Sequence, residues 1–404
     1  MKIIFIADVP LDNPTSGSEQ VLYQQATGLA HEDISVFAIT RHAGSPLTVT
    51  SDIKGVRVGS YGASAENMLR SFIPVARTPA YFYRMFTKDT PFQAAVCHQP
   101  FNCFSLFITR KLSDVPFLYI FHSPSHEEYL LSYPKRNRLS IFLNVNLRRM
   151  IEKFCLKRAA KIMVLSRYMQ DRIKEIHGID ANRIEINPGG VDLNRFRPPE
   201  DRKHLKHKLG FPEGKIHLLT VRNLEPRMGI ANLLKCIRIL KKGPDHIHLI
   251  LGGEGVEKQN LERLIKEYGL LKNVTMAGFI PPEMLSEYYG AADLFVLPTR
   301  HLEGFGLVTP ESMACGTPVL GTPVGGTKEI LSGFNSRFLF RDTSPEAMAK
   351  GINGAVGEYF VRRKRYEQLR LDCREYVARN YSWERHTDKL RAMLDDEMHL
   401  LPIN

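Results

Sequence analysis

Residues 303–311 read EGFGLVTPE, two carboxylates eight positions apart with two glycines between them and a proline just before the second. Glycine and proline punctuate local structure, so the stretch predicts a loop turning into a helix with Pro310 in its first turn. The preceding DLFVLPTRHL reads as a strand running into that loop, which sets Glu303 at a strand's carboxyl end. Gly304 and Gly306 let a backbone come close to a ligand. The amides of Phe305, Gly306 and Leu307 would then point outward from the positive end of the helix, a site that suits phosphate. Carboxylates repel phosphate, so Glu303 and Glu311 fit hydroxyl groups on either side of it. A pyrophosphate flanked by a ribose and a second sugar presents that pattern. Taken alone, the nine residues leave a plainer reading open, with Glu311 an acid favoured in a first helical turn and Glu303 a solvated loop acid.

Three other turns carry residues of chemical interest. TVRNLEPRMGIANLL puts Arg222 and Arg227 between a strand pattern and a helix start. A positive side chain there is unfavourable without an anion, and a guanidinium can grip pyrophosphate through two hydrogen bonds; the alternative is a pair of solvated arginines. His122 follows FLYIF at another strand's carboxyl end, where a lone histidine can equally be structural. His126 and Glu127 come next, but no third ligand has the spacing a metal needs, and no metal site is expected. In PTSGSEQ, residues 14–20, Gly17 and Ser18 read by themselves as an ordinary strand-to-helix turn capped by Ser18.

The elements that must position these residues follow from the hydrophobic pattern. MKIIFIADV, DISVFAIT, AAVCHQ, PFLYIFHS and AKIMVLS read as buried strands, with helical spacing between them. A second series follows in KIHLLTVRN, HIHLILGGE, NVTMAGFI, DLFVLP and TPVLGTPVG. Strands alternating with helices imply right-handed β-α-β units and parallel sheets, here built twice. At 404 residues the chain exceeds what one core sustains. NPGGVDLNRFRPPEDR, rich in proline with two adjacent glycines, marks the linker. An α/β protein of two Rossmann-like domains is expected, 1–190 and 191–380, facing each other across a cleft, with 381–404 a terminal helix. Ligands of such sheets bind at the carboxyl ends of the strands.

Composition narrows the remaining classes. Hydrophobic residues make up 43% and charged residues 24%, ordinary for a globular protein. The apolar opening is interrupted at Asp8, too short for a signal peptide or a membrane span, and no later run reaches spanning length. Six cysteines without CxxC pairing argue against a zinc ribbon or a disulfide framework and fit a reducing cytoplasm. The net charge of +12 is uneven: across residues 130–175 twelve Lys or Arg stand against three acids. A solvated helical face, a nucleic-acid patch and an anionic membrane surface compete to explain this. No zinc-finger, RNA-recognition or helix-turn-helix signature accompanies the charge, so nucleic acid is not an expected partner. LSIFLNVNLRRMIEKFCLKR interleaves apolar and basic residues on a helix, which suits peripheral docking on the inner face of a membrane.

In combination these motifs resemble a known family. From Leu249 onward, LILGGEG through EGFGLVTPE to GTPVGGTKEIL is similar to the carboxyl-terminal half of the retaining GT-B glycosyltransferases of family 4. Their signature is two glutamates with seven residues between, then a glycine-proline turn and a GG-x-x-E element. VLSRYMQDRIKEIHGIDANRIEINPGGVDLNRFRP resembles the inter-domain connection, and YSWERH the start of a last helix that crosses back to the first domain. The resemblance spans nearly the whole chain, loosely in residues 20–120.

The resemblance implies roles. Glu303 would hold hydroxyls of a donor sugar and Glu311 those of the ribose, while Gly304, Phe305, Gly306 and Leu307 would meet phosphates and sugar through backbone. Gly17 falls where the family carries a glycine-rich loop, with Ser18 in place of the usual second glycine. His122 would lie near the donor sugar and be needed for activity. Neither cofactor nor metal is implied, so basic side chains must stabilise the departing diphosphate. Asn223 and Met228 occupy the positions of the usual arginine and lysine, and Arg222 and Arg227, each one residue earlier, are expected to substitute. The implied activity moves a hexosyl unit from a UDP- or GDP-linked donor to a saccharide or lipid-linked acceptor, a precursor of a surface polysaccharide or glycolipid. Rival readings are a nucleotide-sugar epimerase or phosphorylase of the same fold, or a non-enzymatic basic protein binding membrane or nucleic acid. A phosphorylase needs a pyridoxal-phosphate lysine context, and such an epimerase extra first-domain acids, that the sequence does not offer.

Overall fold

The computed structural model describes residues 1–31, 33–42, 49–62, 68–132, 137–241, 246–360 and 362–399. A first sheet holds β1 (Lys2–Ala7), β2 (Ser35–His42), β3 (Val49–Ile53), β4 (Val56–Gly62), β5 (Ala94–His98), β6 (Phe117–Phe121), β7 (Lys161–Val164) and β8 (Ile184–Ile186). Their order is β3-β4-β2-β1-β5-β6-β7-β8, parallel throughout except where β3 meets β4. A second sheet holds β9 (Ile216–Val221), β10 (Ile247–Gly252), β11 (Val274–Gly278), β12 (Leu294–Leu297) and β13 (Val319–Gly321), all parallel, in the order β11-β10-β9-β12-β13. Each apolar run read as a strand in the sequence forms one. Strands such as KIIFIA and FLYIF are apolar almost from end to end because helices cover both faces of a parallel sheet.

β3 and β4 form a hairpin that the hydrophobic pattern does not announce. β3, VTSDI, is an exposed edge strand and so contains no apolar run.

The chain divides into two compact units, Met1–Gly189 with Trp383–Asn404, and Gly190–Ser382. The last helix, Trp383–His399, therefore belongs to the first unit. Its Leu390, Met393 and Leu394 share a core with Leu22, Ala26 and Leu29 of the helix Gly17–Leu29. Burying each leucine contributes about 1.5–3 kcal/mol. A polar pair fixes its register: His386 accepts from Gln25 Nε2 at 2.9 Å and donates from Nδ1 to the Pro188 carbonyl at 2.8 Å. In the first sheet the strand order reverses between β1 and β5, in the second between β9 and β12, and ligand crevices of open α/β sheets lie at such reversals.

Candidate active site

In the second unit β9 and β12 deliver the principal residues. Arg222 directly follows β9 and is 8% exposed in its side chain. β12 ends at Leu297 and its loop runs to Glu303, only 7% exposed. Glu303 Oε2 accepts from Arg222 Nη2 at 2.5 Å and from Thr299 Oγ1 at 3.0 Å. Glu303 is thus a buried, paired carboxylate rather than a solvated loop acid. Arg222 Nη2 also lies 2.9 Å from Met228 Sδ, and its Nε has no hydrogen-bond partner among the described residues. An arginine this buried with donors to spare suits an anion.

The loop is clamped from two sides. Leu302 adopts a left-handed φ of 57°, strained for a branched side chain, and its carbonyl accepts from Arg227 Nη1 at 3.0 Å. Arg227 Nε is also bound, to Glu225 at 2.9 Å. On the other side the Glu303 carbonyl accepts from the Gly326 amide at 3.1 Å. Gly325, at φ 58°, permits this approach, since a Cβ there would lie 1.9 Å from the Glu303 oxygen. The helix Gly325–Asn335 can therefore begin directly on the loop.

Gly306, at φ 83°, turns the chain into the short helix Val308–Ala314. The amides of Phe305, Gly306 and Leu307 take no backbone partner among the described residues. Glu311, in the helix's first turn, accepts from the Tyr289 hydroxyl at 3.0 Å. Burial pushes its carboxyl up to about 7, against the opposing pull of the Tyr289 bond and of the Arg195 and Arg222 charges. Near neutrality Glu311 is consequently poised between its two protonation states.

In the first unit the helix Gly17–Leu29 is capped by Ser16 rather than Ser18. Ser16 Oγ accepts from the Glu19 amide and Glu19 Oε2 accepts from the Ser16 amide at 2.9 Å, a reciprocal box that S-x-x-E spacing encodes. Gly17 and Ser18 thus form the start of the helix itself. His122 follows β6 and is half-buried, its Nε2 2.9 Å from Nδ1 of His98, the fully buried last residue of β5. Burial lowers the His122 imidazole to about 4 and holds His98 well below its ordinary value. Both rings are therefore neutral at physiological pH. His126 Nε2 lies 3.9 Å from Glu127.

Two family models match the chain, one described as Glycosyltransferase Family 4 over residues 15–195, the other as Glycosyl transferases group 1 over residues 201–379. This chain belongs to the GT-B glycosyltransferases of the family 4 type. The D-inositol 3-phosphate glycosyltransferase of Geodermatophilus obscurus is 34% identical over 228 residues, 54% of this chain and 48% of that protein. The GDP-mannose-dependent alpha-(1-6)-phosphatidylinositol monomannoside mannosyltransferase of Mycolicibacterium smegmatis is 28% identical, over 58% of this chain and 61% of that protein. The chain spans about half the length of the first of these relatives. Sucrose-phosphate synthase from Thermosynechococcus elongatus has the same fold, with a TM-score of 0.83 over 99% of this chain and all of that one at 20% identity. So has Anabaena HepE in complex with UDP-glucose, with a TM-score of 0.74 over 98% of this chain and all of that one at 18% identity.

Within this GT-B chain the second unit gathers Arg222, Glu303, residues 304–307 and Glu311. Arg227 is set apart by its use in holding Leu302. Three residues of the two sites went unread in the sequence. His98 carries the same signal as His122, a histidine closing an apolar strand. Tyr289 carries none, because the fold brings it to Glu311 from another helix, and Thr299, four residues before Glu303 in an irregular loop, matches no pattern that marks the contact.

Proposed function

We propose that this chain is a retaining, metal-independent hexosyltransferase, moving a hexose from a nucleotide-diphospho-sugar to a hydroxyl acceptor. The observation that carries this reading is the buried Arg222–Glu303 pair beside the amides of residues 305–307, which take no backbone partner among the described residues. Arg222 and those amides stabilise the leaving diphosphate in place of a metal ion. Glu303 accepts from hydroxyls of the donor sugar, and Glu311 from the ribose. The bond between the glycosyl carbon and the diphosphate oxygen breaks, and its electron pair leaves with the phosphate. The acceptor oxygen attacks from the same face, and its proton passes to the departing phosphate oxygen. Arg227 contributes by fixing the loop at Leu302. The parts of His122, Gly17 and Ser18 rest on the family resemblance.

Support for a UDP- or GDP-linked donor comes from a relative named as GDP-mannose-dependent and a structural neighbour bound to UDP-glucose. A saccharide or lipid-linked acceptor agrees with relatives named for inositol phosphate and phosphatidylinositol mannoside substrates. A thermal-shift screen across UDP-, GDP- and ADP-sugars tests the donor, since ligand at a hundredfold excess over Kd stabilises by about 2.7 kcal/mol. Transfer that survives in Glu303→Gln, or no donor binding at millimolar levels, refutes the reading.

The acceptor's setting is read from the helix Arg138–Arg158. Its inward face buries Ile151, Glu152, Cys155 and Leu156. Its outward stripe, at helical spacing, carries Leu139, Phe142, Leu143 and Met150, each more than half exposed, followed by Arg149, Lys153 and Lys157. Glu152, the helix's one acid, is spent inside on His177 at 2.9 Å. An apolar stripe next to an acid-free basic end fits the inner leaflet of an anionic membrane, with the enzyme in the cytoplasm. No helix among the described residues is long and apolar enough to cross a membrane. Flotation with anionic but not neutral liposomes, lost in Phe142→Asp/Leu143→Asp, is the expected result; flotation with neither refutes it.

A further inference from the structure

His98 has no part in the reading above, yet its one side-chain hydrogen bond among the described residues is to His122. It closes β5, is fully shielded from solvent, and its backbone pairs in register with Ile120 on β6, two residues before His122. The two rings lie 5.1 Å apart between centroids, and the Nδ1···Nε2 distance is 2.9 Å. We propose that His98 is a positioning residue that holds His122 in the tautomer with its proton on Nδ1, so that His122 meets the sugar as a neutral hydrogen-bond donor. This rests on His122 serving the donor sugar, as proposed above.

The assignment follows from counting protons. Two neutral imidazoles carry one N–H each, and a single hydrogen joins them. If His122 donated from Nε2, His98 would have to carry its own proton on Nε2. That atom is buried and has no partner among the described residues. If His98 donates from Nδ1, its Nε2 keeps a bare lone pair instead. A buried N–H without an acceptor is the rarer defect. His98 is therefore the donor, His122 Nε2 the acceptor, and the proton of His122 sits on Nδ1, which makes no hydrogen bond among the described residues. Burial keeps both rings from gaining a second proton near neutral pH, so the arrangement does not lapse into an imidazolium. His122 then cannot act as a general base through Nε2, and its contribution is to orient a hydroxyl oxygen.

Nitrogen NMR of the full chain labelled in histidine, with His122 assigned by loss of its signals in His122→Gln, reads the tautomer directly. Free imidazole favours the Nε2–H form, so Nδ1–H at His122 is the diagnostic result. His98→Asn places an amide N–H where Nδ1 was and should preserve the tautomer, with transfer within about threefold of wild type. His98→Phe keeps the ring but removes the donor. It should return His122 to the Nε2–H form and lower kcat at least tenfold, with a smaller change in donor KM. Nε2–H at His122 in the unmodified protein overturns the proposal without any variant. A tautomer unmoved in His98→Phe, or equal kcat in the Phe and Asn variants, overturns it too. A tautomer that follows His98 while no nucleotide-sugar binds upholds the proton assignment and instead defeats the transferase reading.

Discussion

Removing a single hydroxyl, in Tyr289→Phe, should displace the pH at which this protein takes up its donor. Tyr289 is fully buried and touches no solvent, so the change deletes a bond without altering any surface a ligand could meet. Its phenol is held well above its ordinary value by burial and by the Glu311 charge, and it remains a donor throughout the working range. The bond it gives to Glu311 Oε2, 3.0 Å long, favours the ionised carboxylate, whose carboxyl already stands at about 7. A hydrogen bond to a charged acceptor contributes about 1.5–3 kcal/mol, and ~1.4 kcal/mol corresponds to one pH unit. Losing it should carry the Glu311 midpoint to about 8 or higher.

Binding reports the shift, because only ionised Glu311 offers all its lone pairs to two ribose hydroxyls. Below the midpoint a proton must first leave, and affinity falls about tenfold per pH unit. In the wild type donor affinity should climb between pH 6 and 7 and flatten above. In Tyr289→Phe the climb should extend to about pH 8, leaving binding at pH 7 about fivefold weaker and the two proteins nearly alike at pH 9. Isothermal titration with an intact nucleotide-sugar is the assay. Its pyrophosphate is a diester that does not titrate in this window, unlike a terminal phosphate with its pKa near 6. Glu311→Gln should flatten the profile altogether. Superimposed profiles for Tyr289→Phe and the wild type would refute the reasoning, as would a wild-type profile without slope.

Arg222→Met should cost about 3–5 kcal/mol in denaturant unfolding, because it leaves Glu303 buried with only Thr299. Adding Glu303→Gln should recover most of that stability and none of the transfer, separating the pair's structural from its chemical role. Gly325→Ala forces a side chain into a φ of 58° and against the Glu303 carbonyl, and should destabilise by at least ~2 kcal/mol while weakening donor binding. His386, buried, is lowered to about 4 from 6.5, so the unfolded chain gains a proton that the native state refuses as pH falls between those values. His386 alone should take about 3 kcal/mol of stability from the first unit across that interval, and His122, lowered by burial to about 4, adds to the slope; in melts from pH 7.5 to 4, His386→Asn should make the slope shallower by its own share. Glu311 acts oppositely, its ionisation costing stability as pH rises from 4.5 through 7.

What could be read from the sequence was what neighbours in the chain decide. The parallel strands are legible because burial on both faces makes each an unbroken apolar run, whereas the exposed β3 sends no such signal. The loop of residues 303–307 is legible because glycine at a left-handed φ is a local requirement. The cap at Ser16 was equally available in its spacing to Glu19, and Ser18 misleads only when that spacing is ignored. The ion pair of Arg222 with Glu303 joins residues 81 positions apart, and nothing local marks it. The two arginines show the same limit. Each precedes by one residue a position where the family carries a cation, and as residue types they are interchangeable. Their difference is made by one carbonyl: Leu302, bent into a left-handed turn, draws the Arg227 guanidinium to itself, and Glu225 engages its Nε. Among the described residues Arg222 meets Glu303 and a methionine sulfur through Nη2, and its Nε has no partner. On the proposed reading Arg222, buried beside Glu303, meets the phosphates while Arg227 holds the loop, and Met228, where the family places lysine, supplies no further charge.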